Sequence, residues 1–217
     1  MTTEYDITIC LPCYGRPQRT WRMMECLFEQ KYNNFQLFII GDGCNQFEQM
    51  QFHPSFRSSV ALMLRRGIDV IDYNFRKNKG GHGSHIINYC IKRATGKYFC
   101  WVNNDDIILK EHVGFYFNSI AKTDCDFVYN PTMVNSQEGY DIRNPQLSFG
   151  QVGHAELVVK TEFLRRMPPH EPVYGQDWKL IEHMMKEGKH QKGETPFPTY
   201  YIASTPRWQE AGFENDL

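Results

Sequence analysis

The chain has 217 residues, 41% hydrophobic and 23% charged, which is enough to bury a core and excludes a disordered segment or a coiled coil. Lys and Arg number 24 against 25 Asp and Glu, a net charge of −1 that argues against functions resting on a strong basic field, such as non-specific DNA binding. Aromatics, at 14%, are the one excess; they fill cores and also line concave sites for sugars and bases.

Ile7 to Leu11 is a β-branched run ended by Pro12 and predicts a first strand. Pro17 suits the start of a helix, and Trp21, Met24, Leu27 and Phe28 recur at helical spacing up to the break at Asn33-Asn34. Phe35 to Ile40 is a nearly continuous apolar run, fit for a buried parallel strand. Residues 47–66 predict a helix interrupted by Pro54, and 69–73 a third strand. A glycine-rich loop, 78–83, precedes a helix over 84–94. Residues 97–102 form a fourth strand, 109–120 a helix and 126–134 a fifth strand. This alternation predicts an α/β domain with a mostly parallel sheet. Beyond Val134 the rhythm changes. Residues 135–153 are polar without a clear period. A strand over 155–159, a short helix over 161–167, a helix over 176–186 and an irregular aromatic tail complete the chain.

No apolar run reaches the roughly 18 residues needed to span a bilayer. The polar start, Met1 to Asp6, lacks a signal-peptide pattern, so a soluble cytoplasmic protein is expected. Seven scattered cysteines then read as reduced thiols, and Cys10 and Cys13 form a lone C-x-x-C without a redox or zinc context.

In an open parallel sheet, ligands bind beyond the carboxyl ends of the strands. Four loops qualify: Pro12 to Arg16, Gly41 to Gly43, Asn78 to Gly83, and Asn103 to Asp106. Adjacent Asp105 and Asp106 suit a hard divalent cation carrying a diphosphate, or a plain helix N-cap. Gly80, Gly81 and Gly83 suit a tight turn, or a backbone kept clear for a phosphate or sugar. Asp177 is a first-turn acid or a general base, and His154 a structural imidazole or a catalytic one. A nicotinamide oxidoreductase would need a glycine fingerprint after the first strand, where only Gly15 stands.

These stretches, taken in order, resemble family 2 glycosyltransferases of the GT-A fold, from about residue 5 to 187. Ile7 to Arg16 resembles the family's first strand and its loop. Glu29 to Gly43 resembles the stretch that ends in its D-D-G-S turn. Asn88 to Tyr98 resembles its N-x-G-I-x-x-A-x-G-x-Y segment. Asn103-Asn104-Asp105-Asp106 stands where the family carries D-x-D-D, Gly153 to Met167 resembles the acceptor-side segment, and Gln176-Asp177 resembles the E-D motif.

The resemblance implies a single Rossmann-like domain over 1–217, with a nucleotide-sugar half over 1–134. Residues 135–217 form an acceptor-side half with a small β segment and a tail. It implies that Pro12, Tyr14, Arg16 and Asp42 hold the nucleotide, with Gly80, Gly81, Asn103, Asn104 and Asp106 along the donor. Asp105 would hold Mn²⁺ or Mg²⁺, and Asp177 would be the general base. Gly153, His154, Gln176 and Trp178 would lie on the acceptor side. The reaction implied is inverting transfer from a UDP-sugar to a glycan or other hydroxyl compound. Three positions depart from the pattern: Gly41 for the first acid of D-D-G-S, Asn103 for the first acid of D-x-D, and Gln176 for the glutamate before the base. The first two leave open a catalytically inactive domain that binds a nucleotide or glycan. The tail aromatics Phe197, Tyr200, Tyr201 and Trp208 either close over the site or pack onto the sheet.

Overall fold

An unbroken apolar run needs cover on both of its faces. In the computed structural model, which describes residues 5–80, 83–136, 139–195 and 198–202, that run is β2 (Phe35–Gly41), buried at every position. It pairs in parallel with β1 (Tyr5–Cys13) and β3 (Asp69–Asn74). Beyond β1 lie β4 (Gly96–Trp101), β9 (Leu157–Lys160), β6 (Phe127–Tyr129) and β10 (His190–Lys192). The order is β10-β6-β9-β4-β1-β2-β3, parallel except for β9.

Side chains alternate across a strand, so each face of the sheet builds its own core. Ile9, Leu11, Leu37, Ile39 and Cys100 meet α1 (Pro17–Phe28), α2 (Asn45–Phe52), α3 (Pro54–Arg65) and α5 (His112–Ala121). Cys10, Phe38, Ile40, Phe99 and Trp101 meet α4 (Ser84–Arg93), α6 (Thr161–Leu164) and α7 (Gln176–Glu187). The result is a three-layer α/β arrangement. No helix among the described residues is long and apolar enough to cross a membrane.

Several expectations are corrected. Pro54 does not interrupt one helix; it opens a second. The imidazole of His53 accepts from the Ser55 N–H, and a proline in the first turn lacks only an amide that the helix does not use. The run 126–134 is two strands. The Asn130 N–H donates to the Glu156 carbonyl at 2.8 Å, and Pro131 has no N–H to donate. The chain therefore leaves the main sheet after β6 and enters a second one as β7 (Thr132–Ser136).

That second sheet runs β5 (Ile107–Ile108), β11 (Tyr200–Ile202), β7 and β8 (Gly139–Arg143). The hairpin strand β8 escapes a period-2 reading because Asp141 and Ile142 are both exposed. The tail is not wholly irregular, since β10 and β11 each join a sheet. Tyr200 and Tyr201 are buried, so they pack into the fold; Phe197 and Trp208 lie outside the described residues. A 3-10 turn, His154–Glu156, delays the strand expected at 155, and the helix after it ends at Leu164.

Candidate active site

The carboxyl ends of β1, β2 and β4 and the loop after β3 meet at one edge, as an open parallel sheet requires. They enclose a cleft of about 330 Å³, lined by Pro12, Tyr14, Asp42, Gly80, Asn103, Asn104 and Asp105, among others. Gly81 lies outside the described residues. Tyr14 is well exposed at its position. Asp42 is buried; its Oδ1 accepts from the Lys79 N–H at 3.1 Å and lies 2.7 Å from His85 Nε2.

The missing acid at Gly41 has a steric cause. A Cβ there would stand 2.4 Å from both Asn74 Oδ1 and Phe47 Cδ1. Asn74 Oδ1 accepts from the N–H groups of Gly43 and Cys44, at 3.0 and 3.3 Å, so its amide pins the turn.

The fourth loop caps no helix: α5 begins at His112 with Glu111 as its N-cap. Asp106 is buried instead. Its Oδ2 accepts from Tyr200 Oη at 2.7 Å and from Asn103 Nδ2 at 2.9 Å. The Asn103 N–H donates to Tyr200 Oη at 3.0 Å and closes the network. Burial, then the Asp106 charge, push the Tyr200 phenol well above its ordinary value. An amide at 103 donates where a carboxylate would repel. Asn104 Nδ2 donates to Thr20 Oγ1 at 3.0 Å and ties the loop to α1. Arg16 is the one non-glycine residue among those described with a positive φ, at 52°. From that left-handed turn its Nη1 lies 2.5 Å from Asp105 Oδ2, although Arg16 itself lines neither this cleft nor the one described below.

These residues fit a divalent cation in a limited way. Among the described residues no group of three or more His, Cys, Asp or Glu could hold one. Asp105 offers one carboxylate at the cleft, and Mg²⁺-like ions use one or two together with substrate phosphates and water.

A second cleft, of about 480 Å³, shares Asn103 and Asp105 with the first and is also lined by Asp106, Gly153, His154, Asp177 and Trp178. Asp177 sits in the first turn of α7, after Gly175 in the left-handed region at φ 74°. Its Oδ1 accepts from the Trp178 N–H at 2.9 Å. His154 stacks on Trp101 and adjoins His170, with ring centroids 4.9 and 4.7 Å apart. Burial pushes both imidazoles down to about 3, so they are neutral. Gln176 is buried and is not part of the cleft wall.

Among the lining residues of this cleft that escaped the sequence reading are Arg143, Phe149, Tyr174 and Glu156. Glu156 lines it while only 2% exposed, and burial pushes its carboxyl up to about 7. The available signal was a single acid in the apolar run from Ala155 to Val159.

The sequence pattern of glycosyl transferase family 2 matches residues 8–186. Similar proteins include an uncharacterized glycosyltransferase of Rickettsia bellii, 29% identical over 123 residues, and one of Rickettsia typhi, 26% identical over 118. These matches cover 56% and 54% of the chain but only 16% and 33% of those proteins' own lengths. The fold is similar to that of S. aureus TarS 1-349 in complex with UDP, with a TM-score of 0.68 at 14% identity over 93% of this chain and 61% of that one. It is also similar to the mannosyltransferase PcManGT from Pyrobaculum calidifontis in complex with GDP-Man and Mn²⁺, with a TM-score of 0.66 at 15% identity over 96% and 59%.

The architecture is thus the GT-A type of α/β fold, with a mostly parallel central sheet. The chain belongs to glycosyl transferase family 2.

Proposed function

We propose that this chain moves a sugar from a nucleotide-diphosphate donor, a UDP-sugar, to an acceptor hydroxyl, with inversion at the anomeric carbon. The reading rests on one observation: two clefts share Asn103 and Asp105, and Asp177 lines the second of them. A donor lying along the first cleft would present its sugar at that junction. TarS in complex with UDP, similar in fold, supports a uridine nucleotide.

In this reading Asp177 takes the proton of the acceptor hydroxyl. The acceptor oxygen bonds to the anomeric carbon as the bond from that carbon to the diphosphate oxygen breaks, and the electron pair leaves on the diphosphate. Mn²⁺ or Mg²⁺, held by Asp105, would supply charge neutralisation for that leaving group. Arg16 lies beside Asp105 and brings a second positive charge to the same end of the cleft. Residues 1–134 then serve the donor and 135–217 the acceptor, within one domain.

The test pairs calorimetry with a transfer assay, using UDP-GlcNAc and GDP-mannose as donors. Asp177→Asn is expected to keep UDP affinity within about twofold and to lose at least about 10²-fold in transfer. Asp105→Ala is expected to lose the gain in UDP affinity that Mn²⁺ gives. Equal losses of affinity and rate in Asp177→Asn would contradict the general-base role.

A further inference from the structure

We propose that Glu156 selects the acceptor: it accepts a hydrogen bond from a hydroxyl adjacent to the one that reacts, so the site prefers a vicinal diol of a sugar or polyol to an isolated alcohol. The inference rests on the transfer reading above and names the substrate class of that same site.

The two oxygens of Glu156 are unequal. Oε2 is committed, accepting from the Gly153 N–H at 3.0 Å. Oε1 has Thr132 Oγ1 at 3.5 Å and Arg143 Nη1 at 3.9 Å, both too long for full hydrogen bonds. An oxygen this deep with only long contacts can accept a shorter bond, and the residue lines the acceptor-side cleft. A ligand hydroxyl entering that cleft supplies one.

Gly153 keeps the approach open. Its φ of −123° is available to any residue, so backbone freedom is not the reason for a glycine there. A Cβ at this position would stand 3.2 Å from Asp177 Oδ2 and 3.6 Å from Glu156 Oε2. The two carboxylates therefore lie close to one point beside Gly153, where a side chain would crowd Asp177.

Two adjacent hydroxyls match two adjacent acceptors. One gives its hydrogen bond to Asp177, and eventually its proton; the other reaches Glu156. A deoxy analogue leaves Oε1 desolvated with only its long contacts to Thr132 and Arg143, and a site built to bond a hydroxyl penalises a ligand lacking it.

The probes are the methyl glycosides of glucose, mannose and galactose and their single-deoxy counterparts, with UDP present. Binding is read by saturation-transfer NMR and calorimetry. For wild type, removal of one ring hydroxyl is expected to weaken binding about tenfold, equivalent to ~1.4 kcal/mol. In Glu156→Ala that difference is expected to shrink below about twofold, and in Glu156→Gln, whose amide still hydrogen-bonds a hydroxyl, to shrink in part. Asp177→Asn keeps it. Glu156 variants that retain the full discrimination overturn the proposal, and so does a wild type that shows none. Transfer from UDP-GlcNAc is measured on the same samples. Because the NMR readout needs no turnover, a protein that discriminates diols yet transfers no sugar refutes the transfer reading alone.

Discussion

Asn103→Asp restores the acid that the family pattern carries at this position, and it is expected to destabilise the protein. Asn103 Nδ2 donates to Asp106 Oδ2 at 2.9 Å, in a network where Asp106 is only 2% exposed. A hydrogen bond to a charged group contributes about 1.5–3 kcal/mol. An ionised carboxylate at 103 loses that bond. It also adds roughly 5 kcal/mol of repulsion, for two charges about 3 Å apart at an effective dielectric of about 20. The pair avoids most of that repulsion by binding a proton, which raises the apparent pKa of the couple. A protonated carboxyl at 103 can donate to Asp106 as the amide does. The sign follows. The folded pKa exceeds the unfolded one, so the stability this proton supplies is intact below the unfolded pKa and is lost as pH rises through the folded value. Asn103→Asp is therefore expected to match wild type only near pH 4, to lie about 1.5 kcal/mol below it at pH 5 and to fall about 3 kcal/mol below it at pH 8. Asn103→Ala, which loses the bond and adds no charge, is expected to show a smaller deficit that is the same at pH 5 and pH 8. Urea unfolding followed by tryptophan fluorescence at pH 5 and 8 measures all three differences. An Asn103→Asp protein as stable as wild type at pH 8 would show that the network around Tyr200 does not require a donor at 103.

Two further predictions concern stability. Gly41→Asp is expected to cost about 1–3 kcal/mol by overpacking against Asn74 and Phe47, and Gly41→Asp with Asn74→Ala to recover part of the loss; an unchanged Tm in the single variant rules this out. Burial holds His112, His154 and His170 at about 3, below their ordinary value of 6.5, so their stabilisation is complete above pH 6.5 and is lost as pH falls towards 3. Glu156, held at about 7 against an ordinary 4.5, opposes one of these three protons between those values. The net is a loss of roughly 2–3 kcal/mol per pH unit between pH 6 and 5, and a urea midpoint that stays constant from pH 7 to 5 contradicts it.

What was legible in the sequence was whatever a local pattern controls. Continuous apolar runs gave the parallel strands, and the loops after them had to share one edge once the strand–helix alternation was read. That reasoning reached Pro12, Asp42, Asn103 and Asp105 without coordinates. It could not reach partners supplied from far along the chain. Asp106 looked like a helix cap or a sugar ligand because nothing near it in sequence announces Tyr200, 94 residues away, as its hydrogen-bond donor. Whether Tyr200 closes over the site or packs onto the sheet stayed open because a three-residue strand carries no period. Glu156 was hidden because its environment comes from Gly153, Thr132 and Arg143, two of them on the second sheet, whose polar hairpin strand shows no alternation.

The same long-range partners bear on the two departures that had left an inactive binding domain open. A site decaying by loss of its acids would leave unfilled space or unpaired polar groups where they stood. Here the space of a side chain at 41 is filled by Asn74 and Phe47, and the Asn74 amide hydrogen-bonds the turn. The amide at 103 is bonded to Asp106, which Tyr200 also holds. Both replacements are knit into closed contacts, while Asp105 and Asp177 still line the clefts that meet at residue 105. Such closed contacts support the transfer reading proposed above over a domain that only binds.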